Sequence, residues 1–374
     1  MLGFYDALLL FSILQLLLVG VILLFIKSGN TAANRFLSLF LVSKAICFWG
    51  GLSWIFGGEE MSLFFFALIS YSLDLLLGPS IYFYIKKSTF NEVKFDKYFF
   101  AHFIPFSITF LVTGFFCLTQ MDLVKSHFFG IRVFDVINID DFINIIIYTH
   151  FVVYSIFSVR LLVNYKEYLK NNYSQAHINL LKWLELLLGG FIIIWAVNIV
   201  AIFLKPAGIF GDVLFLITIG GIFLFSNMTV IIAVRYPEIF QNKIPVIKRK
   251  YEKTLLQENE KETYLEQLNK LMAEEKVYLS STLGLADLAE KLKVQNHVVS
   301  QLINTGFGKN FYDYVNSYRI EECKKLLGTR THKSKNILEI AFECGFNSKS
   351  VFNDSFKKFT GQTPSDFRKR VRFN

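Results

Sequence analysis

The chain has 374 residues, 53% of them hydrophobic and 17% aromatic, and its mean hydropathy is +0.43. Because the apolar residues fall in long blocks, this composition excludes a wholly soluble globular protein. The net charge of +9 is distributed unevenly along the chain. Residues 1–234 hold 14 Lys and Arg against 13 Asp and Glu, whereas residues 235–374 hold 25 against 17. Such a basic, polar tail indicates nucleic acid or anionic lipid headgroups as its partner.

Seven apolar stretches in the first two thirds of the chain are long enough to cross a bilayer, which takes about 20 residues in a helix. Asp6 precedes the first stretch, which has no basic residue before it and no small-residue cleavage motif after it. We therefore expect a retained helix rather than a signal peptide. Residues 1–235 are thus predicted to form a seven-helix transmembrane sensor domain. The predicted spans cover residues 8–26, 36–56, 63–85, 98–118, 142–163, 183–204 and 213–234.

The distribution of Lys and Arg between the spans predicts the orientation of the bundle. Basic residues favour the cytoplasmic ends of membrane helices. The first, third and fifth loops hold ten of them and the even-numbered loops hold three, so we expect a multi-pass protein of the bacterial cytoplasmic (inner) membrane with its N-terminus outside and its tail in the cytoplasm. The ten are Lys27, Arg35, Lys86, Lys87, Lys94, Lys97, Arg160, Lys166, Lys170 and Lys182, and the three are Lys125, Arg132 and Lys205.

Two ionisable residues fall at membrane depth, where a charge is costly and is therefore a candidate for function. Lys44 lies in the second predicted span and Asp74 in the third, and their depths differ by roughly 4–5 Å at about 1.5 Å per residue. We expect an intramembrane ion pair between them that faces the interior of the bundle. The pair either fixes helix packing alone or also takes part in signalling, and the sequence leaves both open.

Residues 236–276 are predicted to connect the bundle to the tail. The basic run at 248–250 follows the last span closely and suits anionic headgroups. Residues 258–276 are typical of a charged helix whose apolar stripe is Leu265, Leu268 and Met272. This stripe is too short for a coiled coil, so we expect the helix to pack on its neighbours or to support a dimer weakly.

The tail, residues 277–374, holds two helix-turn-helix patterns. In the first, the apolar spacing predicts a short helix over 285–292, a turn at 293–295 and a second helix over 296–304. Gly308 is expected to end that helix.

A long helix is predicted over 311–327, and it leads to the second helix-turn-helix unit. There the apolar residues of 337–341 form the buried stripe of the first helix, and Gly345 makes the turn. Ser348 is expected to cap a second helix that reaches about Phe359.

Several short motifs occur in the tail in a fixed order. They are LADLA (285–289), YRIEE (318–322), IA (340–341), GF (345–346), FKK (356–358) and GQTP (361–364). In this order the motifs resemble the DNA-binding domain of the AraC/XylS family of bacterial regulators, over residues 283–370. With its seven predicted spans the chain is also similar to the membrane-bound subgroup of that family, which has a seven-span N-terminal sensor region.

The resemblance implies that the long helix holds two recognition helices, which enter successive major grooves on one face of double-stranded promoter DNA, about 34 Å apart. Polar side chains on their outer faces suit base edges, although each could instead contact phosphate or solvent. The expected base contacts are Asn296, His297, Ser300, Gln301, Lys349, Ser350, Asn353 and Asp354. The residues expected to contact the phosphate backbone, or to pack, are Arg319, Lys357, Lys358 and Arg368.

Three residues depart from the family pattern. Gln295 stands where a capping Ser is usual, so the first recognition helix is expected to begin less firmly or to be capped by Asn296. Cys323 replaces a small Ala in the connecting helix. Asp354 puts a negative charge on a face that often carries Arg or Lys, which narrows the choice of bases or makes the second unit the weaker reader.

The sequence thus predicts an all-α protein, in which a seven-transmembrane-helix bundle precedes a cytoplasmic double helix-turn-helix domain. Its expected function is that of a one-component, sequence-specific transcriptional regulator that senses a signal through the bundle.

The expected partners are promoter DNA and the lipid bilayer, with a small molecule or peptide as the unidentified signal, and with a homodimer and RNA polymerase as further candidates. We expect no enzyme activity, cofactor or metal, because the sequence holds no convincing catalytic or metal-ligand constellation. The alternative function is a membrane transporter or enzyme with a regulatory DNA-binding tail. Release of the tail by proteolysis is an alternative to tethered action.

Overall fold

The chain divides into two compact units, Met1–Val163 with Asn179–Lys248 and Asn164–Ile178 with Arg249–Asn374. The predicted basic run at 248–250 lies outside the described residues, as do Lys94, Lys125 and Lys205. A computed structural model describes residues 3–52, 60–90, 97–119, 132–133, 137–174, 178–204, 211–241, 258–329 and 335–373.

The first unit consists of helices and one two-residue antiparallel ladder. Each predicted apolar stretch falls on one or two of these helices. The elements are α1 (Phe4–Phe25), α2 (Thr31–Leu52), α3 (Glu60–Thr89), α4 (Lys97–Ala101), α5 (Ile104–Thr119), β1 (Arg132–Val133), β2 (Ile137–Asn138), α6 (Ile139–Asn172, which ends in the second unit), α7 (Ile178–Leu204), α8 (Gly211–Arg235) and α9 (Glu238–Gln241).

Five helices among the described residues are long and apolar enough to cross a membrane, so the prediction of seven spans is not confirmed. The predicted fourth span is divided into α4 and α5, because Pro105 cannot donate the hydrogen bond that would continue α4. Among the described residues, Ile104–Phe115 of α5 is a shorter apolar helix, and α3 carries Asp74, Lys86 and Lys87. The five helices are Phe4–Phe25, Thr31–Trp49, Ile143–Asn172, Leu180–Ala201 and Leu216–Arg235.

Helix packing in the first unit leaves apolar side chains on both the inner and the outer faces. Helix α1 packs on α2 and α8, α2 packs on α3, and α3 packs on α5. Leu16, Leu37 and Phe40 are buried, whereas Leu24 and Leu111 are exposed. Helices that are apolar all round are typical of a large protein core or of a membrane.

The second unit contains the predicted tail. The helices that were predicted fall within a few residues of their expected bounds, and the second helix of the first helix-turn-helix unit continues to Phe307. The helix over Pro364–Phe373 was not predicted. The elements are α10 (Glu258–Ala273), a 3-10 turn (Val277–Leu279), α11 (Leu285–Leu292), α12 (Asn296–Phe307), α13 (Phe311–Gly328), α14 (Ile337–Glu343), α15 (Lys349–Thr360) and α16 (Pro364–Phe373).

Two hydrophobic clusters form the cores of the two helix-turn-helix units, and α13 contributes to both. Phe311 and Tyr314 of α13 belong to the first cluster, while Ile320 and Cys323 belong to the second. The first cluster also contains Leu268, Leu271 and Met272. Helix α10 therefore packs on its neighbours, which was one of the two alternatives expected for it. Helix α10 lies within the predicted connector, residues 236–276, but it is part of the second compact unit.

The turn of the second helix-turn-helix unit requires a glycine at position 345. Gly345 has φ +90°, a conformation that side chains rarely adopt. A Cβ atom there would also lie 2.6 Å from the carbonyl oxygen of Tyr278 and 2.8 Å from that of Leu279. The turn thus packs directly against the 3-10 segment that precedes α11.

Candidate nucleic-acid interface

Helix α12 presents one polar face and buries the other. Val298, Val299, Leu302 and Ile303 are buried and fix the helix against the first core. Helical periodicity then turns the four predicted base-contacting residues outward. Asn296 and Gln301 are exposed, and His297 and Ser300 are half-buried.

Helix α15 repeats this arrangement in the second unit. Val351, Phe352, Ser355 and Phe356 are buried. The four predicted base-contacting residues of this helix are all exposed: Lys349, Ser350, Asn353 and Asp354. The structure therefore brings each predicted set of four together on the outward side of its helix.

Both of these helices begin without a side-chain cap. Gln295 and Ser348 occupy the N-cap positions, and neither makes a capping hydrogen bond with its side chain. Asn296 is the first helical residue, so the expectation that it caps the helix is wrong, and Ser348 has the predicted position without the predicted bond. Uncapped N–H groups at a helix N-terminus are suited to phosphate oxygens.

The two helices that precede them differ from each other in their capping. Asp287 accepts a hydrogen bond from the backbone N–H of Gly284 at 2.7 Å, at the start of α11. Asn336 and Glu339 form a reciprocal capping box at the start of α14. Of these two helices only α14 has a side-chain cap on a helical N–H group, because the N-cap residue of α11 is Gly284, which has no side chain.

The four residues expected at the phosphate backbone differ in exposure. Lys357 is exposed, and Arg368 is half-buried. Lys358 is exposed, and its Nζ lies 2.6 Å from Oδ1 of Asp313 at the start of α13. Arg319 is fully buried, so the expectation of a phosphate contact is wrong for this residue, while the alternative expectation of packing agrees with its position.

Arg319 is fully buried in the second compact unit and donates four hydrogen bonds. Its Nε donates to the carbonyl oxygen of Tyr278 at 2.7 Å, and its Nη2 donates to that of Ser280 at 2.7 Å and to the hydroxyl of Ser174 at 3.2 Å. Its Nη1 donates to Oδ1 of Asn316 at 3.3 Å. Burial lowers the pKa of Arg319 to about 10, which leaves the guanidinium charged at neutral pH.

The acceptors of Arg319 were not predicted from the sequence. Ser174 and Asn316 are fully buried, and Asn316 Nδ2 donates to the carbonyl oxygen of Ser174 at 3.2 Å. The two residues are separated by 142 positions in the chain. No local pattern could have indicated this contact.

In the first unit, the structure brings together the predicted intramembrane pair. Lys44 Nζ lies 3.2 Å from Oδ1 of Asp74. The same Nζ lies 4.7 Å from the ring centroid of Phe48 and 5.0 Å from that of Trp195, two contacts that were not predicted from the sequence. Within the residues that the structure describes, no three His, Cys, Asp or Glu side chains are grouped so that they could hold a metal ion.

Comparison with known proteins gives the class of the tail. Residues 288–370 match a family model described as "Helix-turn-helix domain". An uncharacterized HTH-type transcriptional regulator of Staphylococcus aureus (strain COL) is 32% identical over 92 residues, which cover 25% of this chain and 12% of that protein.

Two operon regulators are also similar to this part of the chain. The Msm operon regulatory protein of Streptococcus mutans is 26% identical over 111 residues, which cover 30% of this chain and 38% of that protein. The melibiose operon regulatory protein of Escherichia coli (strain K12) is 30% identical over 87 residues, which cover 23% of this chain and 28% of that protein. The chain thus spans well under half the length of each of these relatives.

The chain therefore carries a C-terminal helix-turn-helix domain. Its relatives over this region are transcriptional regulators rather than enzymes. A helix-turn-helix domain supports binding to double-stranded DNA.

Proposed function

We propose that this chain is a membrane-integrated, one-component transcriptional regulator of the AraC/XylS type. It binds promoter DNA in a sequence-specific manner while its N-terminal helices remain in the bacterial cytoplasmic membrane. One observation carries the proposal: helices long and apolar enough to span a membrane and a helix-turn-helix domain occur on the same chain. Apolar helices of this length are expected in a membrane protein and not in a purely soluble regulator.

The orientation follows from the same combination. A tail that binds DNA has to lie in the cytoplasm. The seven spans expected from the sequence are an odd number, which agrees with an N-terminus outside and a cytoplasmic tail. The excess of Lys and Arg in the first, third and fifth loops of the sequence supports this orientation.

Sequence recognition is assigned to the outward side chains of α12 and α15. Asn296, Gln301 and Asn353 can pair with adenine, Lys349 can donate to guanine, and Asp354 can accept from cytosine. His297, Ser300 and Ser350 complete the two sets. Lys357, Lys358 and Arg368, together with the uncapped helix N-termini, are assigned to phosphate oxygens, which contribute affinity without sequence information.

Signal sensing is assigned to the first unit. A signal can shift the bundle only if it binds two arrangements of the helices with different affinity. Lys44 is a candidate for a residue that reports such a shift, because Asp74, Phe48 and Trp195 come from α3, α2 and α7. Two tethered tails in a homodimer would raise the local concentration of each tail at its DNA site.

Selection from a random DNA library tests the proposal directly. The full-length protein is extracted from membranes with detergent and incubated with random double-stranded DNA, and the bound fraction is sequenced. We expect enrichment of two short boxes one helical turn apart, and we expect the protein to stay in the membrane after alkaline carbonate washing. A protein that washes off, or one that enriches no sequence, contradicts the proposal.

The matched control is a double variant, Lys349→Ala with Asn353→Ala. Both side chains are exposed on α15, so the variant is expected to fold. The enriched sequence should keep one box and lose the preference within the other. Loss of both boxes would indicate that α15 does not read DNA separately from α12.

A further inference from the structure

Two residues that directly follow α6, Tyr173 and Ser174, form backbone contacts with the segment before α11 in the DNA-binding unit, to which they belong. Ser174 is fully buried. Its hydroxyl donates to the carbonyl oxygen of Leu283 at 2.6 Å, and its backbone N–H donates to the same oxygen at 3.4 Å. Tyr173 pairs with Gly284 in an antiparallel bridge immediately before α11. The first helix-turn-helix unit therefore starts against a segment from much earlier in the chain.

The same segment completes the surroundings of two buried side chains of α13. The carbonyl oxygen of Ser174 accepts from Asn316 Nδ2, and its hydroxyl accepts from Arg319 Nη2, both at 3.2 Å. Among the described residues no carboxylate accepts from Arg319, so these neutral oxygens are what stabilises its charge. A buried donor that loses its acceptor costs free energy, and the cost is larger for a charged group.

Arg319 also connects the two helix-turn-helix units. It donates to the carbonyl oxygen of Tyr278, whose side chain belongs to the first hydrophobic cluster. Its guanidinium carbon lies 5.7 Å from the ring centroid of Phe346 in the second cluster. The position of Arg319 is therefore coupled to the spacing of the two units, and Ser174 helps to fix that position.

The docked segment leaves the outward faces of the recognition helices uncovered. The hydrogen-bond partners of Ser174 are Leu283, before α11, and Asn316 and Arg319 of α13. None of them is an outward residue of α12 or α15. Docking is thus compatible with DNA binding and differs from an autoinhibitory contact that masks the DNA-binding face.

We infer that the Tyr173–Ser174 segment is an internal ligand of the DNA-binding unit, and that its docking fixes the two helix-turn-helix units for simultaneous binding to DNA. Helix α6 is one continuous helix, Ile139–Asn172, and its residues up to Val163 belong to the first unit. A displacement of α6 is therefore transmitted along its backbone to Ser174. The link to signalling rests on the proposed function, whereas the docking itself does not.

Cysteine labelling tests the docking without any DNA. Ser174→Cys is nearly isosteric, and Lys170→Cys places the same thiol at an exposed position four residues earlier on α6. Full-length proteins in membranes are treated with a maleimide, and the unsubstituted protein gives the background from the native cysteines. We expect Ser174→Cys to react at least about tenfold more slowly than Lys170→Cys, because a buried thiol is inert. Equal rates would overturn the inference.

DNA affinity tests the consequence of docking. Full-length Ser174→Ala is compared with Ser365→Ala, which alters an exposed serine of α16. The probes are the two-box sequence selected by the unsubstituted protein and the same DNA with one box scrambled. We expect Ser174→Ala to bind the two-box probe about tenfold more weakly, the effect of losing one hydrogen bond to a buried charge, and to bind the one-box probe unchanged. Ser365→Ala should match the unsubstituted protein on both.

The outcomes separate this inference from the proposed function. Equal weakening on both probes means that Ser174 supports only the stability of the unit, and no weakening means that docking does not affect DNA binding; either result overturns the inference. If the unsubstituted protein selects no DNA, the proposed function fails, while slow labelling of Ser174→Cys would still establish the docked segment.

Discussion

The guanidinium of Arg319 lies over the ring of Phe346, with 5.7 Å between the guanidinium carbon and the ring centroid. Both residues are almost entirely buried. Arg319 comes from the helix that connects the two helix-turn-helix units, and Phe346 follows the turn glycine of the second unit. A desolvated cation over an aromatic ring contributes roughly 2 kcal/mol, so this contact is a substantial part of what joins the units.

Arg319→Leu should destabilise the DNA-binding unit rather than remove a phosphate contact. The carbonyl oxygens of Tyr278 and Ser280 lose their charged donor, and we expect the free energy of opening of α13 to fall by about 3 kcal/mol. Hydrogen exchange of the α13 amides, followed by mass spectrometry in the full-length protein, measures this change. Lys369→Leu, at an exposed position, is the control. Unchanged hydrogen exchange together with a weaker salt dependence of DNA binding would instead indicate that Arg319 contacts phosphate.

Gly345→Ala should destabilise the second helix-turn-helix unit more than Gly361→Ala does. Both glycines have positive φ, so both substitutions are expected to cost about 1–2 kcal/mol through the backbone alone. Only at Gly345 does the added Cβ meet a neighbour, the carbonyl oxygen of Tyr278, whereas nothing lies within 4 Å of the Cβ position at Gly361. Hydrogen exchange in α14 and α15 should therefore rise much more for Gly345→Ala. Equal effects would mean that the 3-10 segment can move away without cost.

Lys349→Ala and Lys357→Ala should affect DNA binding in different ways. Lys349 is assigned to a base edge, so its loss should cost about 1–3 kcal/mol on the preferred sequence and relax the preference at one position. Lys357 is assigned to phosphate, so its loss should weaken all sequences alike and reduce the salt slope by about 1. Affinities of both variants at several salt concentrations, on selected and scrambled DNA, measure this. The same loss of specificity from both variants would contradict the assignment.

Lys44→Met and Asp74→Leu should each be more harmful than the two changes together. A single change leaves one charge without its partner in the bundle, which costs about 3 kcal/mol, whereas the double change leaves none. The amount of detergent-extracted protein that elutes as a single species and its melting temperature measure the effect. Similar values for the three variants would mean that the pair contributes nothing to the fold.

The helices of the DNA-binding unit were predictable because their apolar residues follow one clear period. Leu285, Leu288 and Leu292 can face a core only if residues 285–292 form a helix, and the structure agrees. The division of the fourth span at Pro105 was missed, since the hydropathy of that stretch is continuous across the proline. The outward placement of the eight residues, six exposed and two half-buried, followed from the same helical period that predicted the buried ones.

The burial of Arg319 was not predictable in the same way. An arginine within a helix usually extends into solvent, and burial needs acceptors that the local sequence does not show. Here one acceptor, Asn316, is local, but the other three come from Ser174, Tyr278 and Ser280, at least 39 residues away in the chain. The role of α10 was only half predicted for a similar reason: its apolar stripe was recognised, but the core on which it packs was not.

A map of the chromosomal DNA bound by the intact protein tests the central claim most directly. The full-length, tagged protein is cross-linked in cells, its membrane fraction is isolated, and the attached DNA is sequenced beside that from the Lys349→Ala, Asn353→Ala double variant. A membrane-integrated regulator predicts sharp peaks in the membrane fraction that contain two boxes one helical turn apart, about 34 Å, and that weaken in the variant. DNA recovered without a common sequence, or equally by the variant, would contradict the account.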